Sequence, residues 1–320
     1  MRRGFTNLRC LVRPSSNLKS LEQLADSFPM ASVKIARGNL LSRPDCAAAT
    51  EGVAVIYHLA AGTGLDSYPD AYMNSVVTTR NLLEAARAGN TLKRFVNVSS
   101  FTVYANTERR GVLDETSAVE PKPELRGDPY CYAKVKQDEL LAEYGKKHGI
   151  PFVIVRPGVV YGPGKKGITA RVGIGMFGLF LHLGGSNRVP LTYIENCSEA
   201  IVLAGLKPGV DGEVFNIVDD DLPSSRQILR MYKRQVRSFK SVYVPRPISY
   251  LCFRAWEKYS GWSKGQLPPV FNRSIWNAYW RGSAYTNAKI KQRLGWRQLV
   301  PTAEGLKRYV ETCRESTNGS

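Results

Sequence analysis

The chain has 320 residues, 43% hydrophobic and 22% charged, with 45 Lys plus Arg against 27 Asp plus Glu and a formal net charge of +18. These values are close to globular averages, which excludes a disordered tail, a collagen-like repeat and a disulfide-stapled miniprotein. The length fits one large α/β domain, or one with a smaller appended lobe.

The six cysteines are widely separated, and none forms a CxxC pair or a Cys/His cluster with the spacing of metal ligands. We therefore expect a reduced, cytoplasmic protein without a metal site. No apolar run approaches the ~20 residues needed to span a bilayer. No apolar signal-peptide core follows Met1.

Positive charge is concentrated in the last third of the chain, where residues 222–320 contain 19 Lys or Arg and only four Asp or Glu. The asymmetry indicates either a solvated basic face or an anionic neighbour, such as a phosphorylated substrate, a membrane surface or nucleic acid. Because no nucleic-acid-binding motif accompanies it, we expect no specific nucleic acid. An anionic small-molecule substrate and a peripheral membrane contact are both kept as explanations of the basic region.

Short β-rich runs alternate with helical stretches, which is the pattern of a parallel sheet with crossover helices. In chain order, the predicted strands are Leu8 to Val12, Val33 to Ala36, Val53 to Leu59, Arg94 to Val98, Phe152 to Arg156 and Glu213 to Val218. Helical spacing covers Pro69 to Ala88 and Tyr130 to His148. The pattern predicts an α/β fold with a doubly wound, Rossmann-like sheet.

The predicted domain organisation divides the chain near Gly162. Residues 1–162 form the Rossmann-like nucleotide-binding domain, and the Gly-, Pro- and aromatic-rich residues 163–320 form mainly a smaller C-terminal substrate lobe. Within that lobe, residues 190–220 are expected to return to the sheet.

A tyrosine and a lysine lie one helical turn apart in Tyr130-Cys131-Tyr132-Ala133-Lys134. Their side chains share one helix face, and a nearby cation lowers the pKa of a tyrosine, which is otherwise near ~10. Upstream, a predicted strand runs into Ser99-Ser100. A hydroxyl there would emerge at the C-terminal edge of the sheet, where α/β proteins bind ligands.

These residues, with several further motifs, resemble the extended short-chain dehydrogenase/reductase family, the NAD(P)-dependent epimerase/dehydratase group. The other matching segments, between about residues 8 and 310, are Tyr57-His58-Leu59-Ala60-Ala61, Asn74 with Asn81-Leu82-Leu83-Glu84-Ala85-Ala86, Val98-Ser99-Ser100-Phe101-Thr102-Val103-Tyr104, Arg156-Pro157-Gly158-Val159-Val160-Tyr161-Gly162-Pro163-Gly164, Pro190-Leu191-Thr192-Tyr193-Ile194-Glu195-Asn196, Val214-Phe215-Asn216-Ile217 and Leu294-Gly295-Trp296. Each motif is weak alone, whereas their shared order and spacing are specific.

The resemblance implies a catalytic set of Ser100, Tyr130 and Lys134. Tyr130 would move a proton on a substrate hydroxyl or carbonyl while a nicotinamide exchanges hydride; Ser100 would hold that oxygen and Lys134 the nicotinamide ribose. Tyr132 and Lys136 satisfy the same spacing. The first pair is preferred because the family usually has a small residue before the lysine, here Ala133.

The cofactor side matches the family less closely, because the first residues contain no glycine-rich turn. They resemble the end of the family's first helix followed by its second strand. We expect a doubly wound sheet that lacks its usual first strand, in an N-terminally shortened enzyme; the alternative is that another segment fills the gap. Gly173 to Gly178 spells GxGxxG but lacks a surrounding βαβ unit, so we predict that it packs within the lobe.

The resemblance places further cofactor contacts by position, at Arg13, Asn39, Ala60, Ala61, Ser99, Pro157, Gly158 and Val159, besides Tyr130 and Lys134. Arg13 stands where an acid would select the ribose of NAD, so NADP is favoured slightly over NAD. A solvated loop arginine is the alternative for Arg13.

For the substrate, the resemblance places Asn187 and Arg188 where sugar-nucleotide enzymes bind a diphosphate. Phe101-Thr102 stands where 4,6-dehydratases have an Asp-Glu pair, which disfavours dehydration. The leading prediction is an NAD(P)-dependent oxidoreductase or epimerase of a nucleotide-sugar-like substrate. The alternatives are a 3β-hydroxysteroid-dehydrogenase-like enzyme and a non-catalytic binding protein. The family often dimerises through the two predicted helices, so a homodimer is possible.

Overall fold

The computed structural model describes residues 1, 3–62, 67–107, 111–165, 167–263, 266–267 and 270–318. The strands are β1 (Asn7–Val12), β2 (Ser32–Arg37), β3 (Val55–His58), β4 (Arg94–Val98), β5 (Val112–Leu113), β6 (Phe152–Pro157), β7 (Val159–Tyr161), β8 (Gly173–Met176), β9 (Leu179–His182), β10 (Leu191–Tyr193), β11 (Val214–Ile217), β12 (Ser241–Tyr243) and β13 (Ala284–Tyr285). The helices are α1 (Lys19–Asp26), α2 (Arg43–Thr50), α3 (Tyr68–Tyr72), α4 (Thr78–Gly89), α5 (Pro129–His148), α6 (Ile194–Leu206), α7 (Ser225–Gln235), α8 (Arg246–Trp262), α9 (Arg273–Trp280), α10 (Ala288–Leu294) and α11 (Thr302–Asn318).

The central sheet is parallel and has the strand order β11-β6-β4-β3. A separate parallel pair joins β1 to β2. Among the described residues, no strand pairs with the free edge of β1 or with that of β3. The predicted doubly wound fold is confirmed, with its parallel strands divided between the four-stranded sheet and the β1–β2 pair.

The central strands are buried on both faces because helices cover each side of the sheet. Neighbouring residues of one strand point to opposite faces, so Val96 packs with α6 and α10 while Phe95 packs with α4 and α5. The cluster on the α6 side includes Ile290 and Leu294 of α10. Helix α10 therefore packs on the central sheet, which strand β11 also joins.

The predicted helix from Pro69 to Ala88 contains a π-helical turn, Met73–Val77, between α3 and α4. Helix α5 matches its predicted extent to within one residue. Asp128 caps its N-terminus, where the carboxylate accepts a hydrogen bond from the Cys131 amide. Gly149, with a φ of 65°, caps its C-terminus. These caps fix where Tyr130 and Lys134 lie on the helix.

The C-terminal lobe contains the antiparallel hairpin of β8 and β9, extended by β12. The GxGxxG segment forms this hairpin and belongs to no βαβ unit, as expected. Strand β13 pairs with β5 and so joins the lobe to the first half of the chain. Within the described residues, no helix is long and apolar enough to cross a membrane.

Candidate functional site

Ser100, Tyr130 and Lys134 meet where β4 ends beside the first turns of α5. Ser100 has an extended backbone and its hydroxyl accepts a hydrogen bond from the Thr102 amide at 3.2 Å. Ser100 interacts with the Tyr130 hydroxyl and lowers its pKa, in opposition to burial, which raises it. The Lys134 ammonium lies 6.0 Å from the centroid of the Tyr130 ring. The three predicted side chains are thus neighbours.

The Lys134 side chain is 3% exposed. Its ammonium donates to the Val98 carbonyl at 2.6 Å and to Gln137 Oε1 at 2.9 Å. Burial lowers the pKa of Lys134 to about 8, and the nearby Asp138 carboxylate only partly opposes this shift. The ammonium makes no third hydrogen bond within the described residues, so one N–H is available to a ligand.

The pKa of Tyr130 differs from the expectation, because the structure raises it instead of lowering it. Burial raises the pKa of the Tyr130 hydroxyl to about 12, while the hydrogen bond with Ser100 opposes the shift. The Tyr279 hydroxyl and the Asp128 carboxylate raise it further. The helical spacing predicts the nearby Lys134 cation. It does not reveal the cost of burying a phenolate, which decides the direction of the pKa shift of Tyr130.

A buried polar chain continues from Lys134 and was not expected from the sequence. Gln137 Nε2 donates to Thr79 Oγ1 at 2.7 Å, and Thr79 Oγ1 donates to the Ser75 carbonyl at 2.6 Å. The Thr79 oxygen is 2.9 Å from His58 Nε2. Burial lowers the pKa of His58 to about 3, so the ring is neutral and its Nε2–H donates to Thr79.

The alternative pair, Tyr132 and Lys136, lies on a different side of α5. The Tyr132 ring packs against the rings of Tyr68 and Tyr72, with centroids 5.3 and 6.2 Å away. The Lys136 ammonium pairs with Glu139 at 2.8 Å near the surface. This pair shares no polar contact with Ser100 in the described structure.

Ser99 points away from Ser100 and into a buried charged cluster. Its hydroxyl donates to Asp138 Oδ2 at 2.9 Å, and Asn97 Nδ2 donates to Asp138 Oδ1 at 3.1 Å. Arg156 of β6 forms an ion pair with the same carboxylate at 3.1 Å. The Ser99 side chain therefore joins β4 to α5, and only its backbone is left for a cofactor.

Side chains from the second half of the chain that the sequence did not single out lie close to the segment after Ser100. Burial raises the pKa of the Tyr279 hydroxyl of α9, and Thr102, two residues after Ser100, interacts with it and partly opposes the shift. The Arg171 guanidinium lies 5.2 Å from the centroid of the Tyr279 ring. Tyr285 stacks on Phe101 with ring centroids 5.8 Å apart. An aromatic group and one half-buried cation thus lie next to the segment that follows Ser100.

The predicted adenosine-side contacts lie at the ends of β1, β2 and β3. Arg13 is exposed directly after β1 and forms no ion pair with a described residue. Asn39 is exposed near the end of β2, where its Oδ1 accepts from the Leu41 amide. Ala60 and Ala61 follow β3, with Ala60 exposed. The described connection between β1 and α1 contains no glycine.

Pro157, Gly158 and Val159 join β6 to β7 and were also expected to contact the cofactor. A Cβ at Gly158 would lie 2.1 Å from the Pro190 carbonyl oxygen. The absence of a side chain at Gly158 therefore allows β7 to pair with β10. Val159 is half-buried beside this turn.

The two predicted substrate residues make protein contacts. Asn187 Nδ2 donates to the Trp280 carbonyl at 2.6 Å, which joins the loop after β9 to the end of α9. Arg188 is exposed and donates to the Leu222 carbonyl at 2.6 Å. Among the described residues, neither has a hydrogen bond or ion pair to Ser100, Tyr130 or Lys134.

Several residues present fit a nicotinamide dinucleotide. Lys134 has an uncommitted N–H for a ribose hydroxyl, and the small Ala60 and Ala61 leave the backbone accessible at the sheet edge. Arg13 is free for a phosphate. The fit covers the nicotinamide and adenosine ends, whereas the described residues before β1 hold a single glycine, Gly4, and no glycine-rich turn for the pyrophosphate.

The fold and the site define a Rossmann-type α/β protein with a cluster of polar side chains at the C-terminal edge of its sheet. The family model described as NAD dependent epimerase/dehydratase family matches residues 3–218. The chain therefore belongs to the NAD-dependent epimerase/dehydratase family, which confirms the resemblance.

Known relatives cover different parts of the chain. A trifunctional UDP-glucose 4,6-dehydratase/UDP-4-keto-6-deoxy-D-glucose 3,5-epimerase/UDP-4-keto-L-rhamnose-reductase of Arabidopsis thaliana is 32% identical over 63% of the chain, which is 31% of that protein. An Arabidopsis 3beta-hydroxysteroid-dehydrogenase/decarboxylase is 24% identical over 90% of the chain and 53% of that protein. The chain thus matches a third to a half of these two relatives' lengths.

The fold is also that of a solved UDP-glucuronic acid 4-epimerase from Bacillus cereus in complex with NAD. The two superimpose with a TM-score of 0.69 over 98% of this chain and 91% of that one, at 20% identity.

Proposed function

We propose that the chain is an NAD(P)-dependent oxidoreductase or epimerase that acts at a secondary alcohol or ketone of a nucleotide sugar. The observation that carries the proposal is the position of Tyr130, with the Lys134 ammonium 6.0 Å from the centroid of its ring and Ser100 interacting with its hydroxyl. The family supports the reaction class. Neighbouring structures with UDP-glucuronic acid and UDP-glucose support the substrate class.

In this proposal Tyr130 is the proton-transfer group. Because burial holds its pKa at about 12, the hydroxyl is protonated near neutral pH and is poised to donate to a substrate carbonyl oxygen. In the reverse direction, the Tyr130 phenolate, a minor species near neutral pH at this pKa, takes the proton from a substrate hydroxyl. Ser100 holds the substrate oxygen, and Lys134 orients the site. The dinucleotide supplies or accepts the hydride.

The proposed cofactor contacts follow from the exposed and uncommitted groups. Lys134, Ala60, Ala61 and the backbone of Ser99 would serve the nicotinamide half, together with Pro157, Gly158 and Val159. Arg13 and Asn39 would serve the adenosine half. Arg37 of β2 donates to the Pro14 carbonyl at 2.6 Å, so a second guanidinium lies beside the β1 terminus. Two cations there favour the 2′-phosphate of NADP.

A sterol-like substrate is the second candidate, and a specific observation favours it. Phe101, Tyr279 and Tyr285 form an aromatic group beside Ser100, and the steroid-dehydrogenase relative matches nine-tenths of the chain. Against it, Arg171 brings a cation with no acidic partner among the described residues next to that group. A half-buried cation suits an anionic sugar nucleotide better than an uncharged ring system.

Site-directed variants test the catalytic assignment. Tyr130→Phe should reduce turnover by about 10²–10⁴-fold, because it removes the proton-transfer group, while dinucleotide affinity in calorimetry stays within error. The matched control is Tyr132→Phe, on the same helix but packed against Tyr68, which should keep its activity. The opposite result for the two variants would overturn the assignment.

A panel of substrates distinguishes the nucleotide-sugar function from the sterol function. Purified chain is incubated with NAD or NADP and with UDP-glucose, UDP-glucuronic acid or a 3β-hydroxysteroid, and products are resolved by chromatography. The proposal expects conversion of a UDP-sugar and none of the steroid. Cofactor binding without conversion of either class would support the non-catalytic alternative.

A further inference from the structure

Helix α8 carries a continuous apolar stripe on its solvent side. Only Ser249, Phe253 and Ser260 of its seventeen residues are buried. The stripe consists of residues spaced three or four apart, so they lie on one face of the helix. Its members are Ile248, Leu251, Ala255, Tyr259 and Trp262. Trp262 is 77% exposed and Leu251 is 59% exposed, which is unusual for side chains of this size.

Cations flank this stripe without acidic partners. Arg254 and Lys258 lie one turn apart on the side of the stripe, and both are exposed. Neither forms an ion pair within the described part of the chain. The single acid of α8, Glu257, is turned away and pairs with Arg273 at 2.8 Å. The exposed face is therefore apolar and positive.

The aromatic end of the stripe has the chemistry of a lipid–water boundary. The rings of Tyr259 and Trp262 stack with centroids 5.9 Å apart and an interplanar angle of 25°. Tyr and Trp combine an apolar ring with a polar group, and both concentrate at membrane interfaces. A helix with such a face lies in the plane of the interface and does not cross it.

A second copy of the chain is a poor partner for this face. A two-fold symmetric dimer would place the same patch against itself. Arg254 and Lys258 would then approach their own counterparts, with no free acid on the helix to compensate. Like charges brought together in this way oppose association, whereas an anionic surface complements them.

We propose that the outer face of α8 docks the protein on an anionic phospholipid surface. Leu251, Tyr259 and Trp262 enter the headgroup region, and Arg254 and Lys258 contact lipid phosphates. This interaction leaves the protein peripheral to the membrane. It is independent of the proposed catalytic function, since no residue of α8 takes part in the Ser100, Tyr130 and Lys134 site.

Vesicle co-sedimentation of the full chain tests this docking. We expect binding to phosphatidylcholine vesicles that contain about one third phosphatidylglycerol, weak binding to phosphatidylcholine alone, and a loss of affinity on raising salt from about 0.1 to 0.5 M. The Leu251→Ser/Trp262→Ser variant should bind roughly tenfold more weakly. The matched control is Met30→Ser, which removes another exposed apolar side chain, 87% accessible, outside α8.

A charge variant and the oligomeric state complete the test. Arg254→Gln/Lys258→Gln should weaken binding to anionic vesicles by roughly tenfold and reduce its salt dependence, because about two lipid contacts of ~1 kcal/mol each are lost. Binding to neither vesicle, or binding unchanged in both double variants, would refute the proposal. So would an oligomer in sedimentation velocity that Leu251→Ser/Trp262→Ser converts to monomer, because a second copy would then cover the face.

Discussion

The Lys134 ammonium of α5 lies 2.6 Å from the carbonyl oxygen of Val98, the last residue of β4. This contact joins the helix that carries Tyr130 to the strand that leads into Ser100. The Lys134 side chain is almost fully buried, and this burial lowers its pKa from 10.5 to about 8. The folded protein therefore holds this proton less tightly than the unfolded chain does.

Lys134→Met should change how stability depends on pH. Between about pH 8 and 10.5 the unfolded chain keeps the Lys134 proton while the folded protein has released it. The free energy of unfolding of the natural chain therefore rises with pH across this window. Relative to that of Lys134→Met, the rise is up to about 3 kcal/mol. Urea unfolding followed by tryptophan fluorescence at pH 7 and pH 10 measures the difference.

The control for this pH effect is Lys136→Met, on the same helix. The hydrogen bond to Glu139 raises the pKa of Lys136, so its contribution to stability falls as pH rises, which is the opposite sign. A difference between the natural chain and Lys134→Met that does not change with pH would contradict the assignment.

Gln137 is a positioning residue, because it holds Lys134 without a contact to the reacting atoms. Gln137→Leu should reduce kcat by about tenfold through loss of one hydrogen bond to a charged group. Gln137→Glu should keep the acceptor and move the alkaline limb of the pH–rate profile to higher pH, since a carboxylate raises the pKa of a neighbouring lysine. A purely structural role would lower the melting temperature and leave that profile in place.

Much of this fold follows from local sequence pattern. The strand from Arg94 to Val98 and the helix from Tyr130 to His148 were predicted almost to the residue, because their apolar periodicity and caps are encoded nearby. The pairing of Tyr130 with Lys134 depends only on helical spacing. Such features require no knowledge of the rest of the chain.

The missed features depend on distant contacts. Gln137 meets Thr79, and Tyr279 meets Thr102, only after sheet order and lobe docking bring them together. The sign of the Tyr130 pKa shift depends on burial, which spacing does not reveal. The direction of the Ser99 side chain depends on Asp138, 39 residues later. Such tertiary effects override local pattern.

Tyr279→Phe tests the contribution of the lobe to substrate binding. Removing its hydroxyl ends its interaction with Thr102 but keeps the ring beside Arg171. We expect KM for the substrate to rise about fivefold, the value of one hydrogen bond near 1 kcal/mol, with kcat within about twofold. Thr102→Val should have the same effect, and the double variant should add little to either. Fully additive losses would show that the two hydroxyls act separately.

The Asp138–Arg156 ion pair should dominate the stability of the region beneath the site. Arg156→Met leaves the buried Asp138 carboxylate without its cation and should cost about 3–5 kcal/mol at pH 7. Burial already raises the pKa of Asp138, and removal of Arg156 raises it further. The stability cost should therefore shrink as pH falls and the carboxyl takes up a proton.

Two variants complete the ion-pair test by urea unfolding at pH 5 and pH 7. Asp138→Leu/Arg156→Met should recover most of the stability lost by Arg156→Met, because an apolar pair removes the uncompensated charge. Lys147→Met breaks the exposed pair with Glu143 at 2.7 Å and should leave the unfolding midpoint unchanged, since surface pairs contribute little. If Arg156→Met lost no more stability than Lys147→Met, the buried pair would have no special structural role.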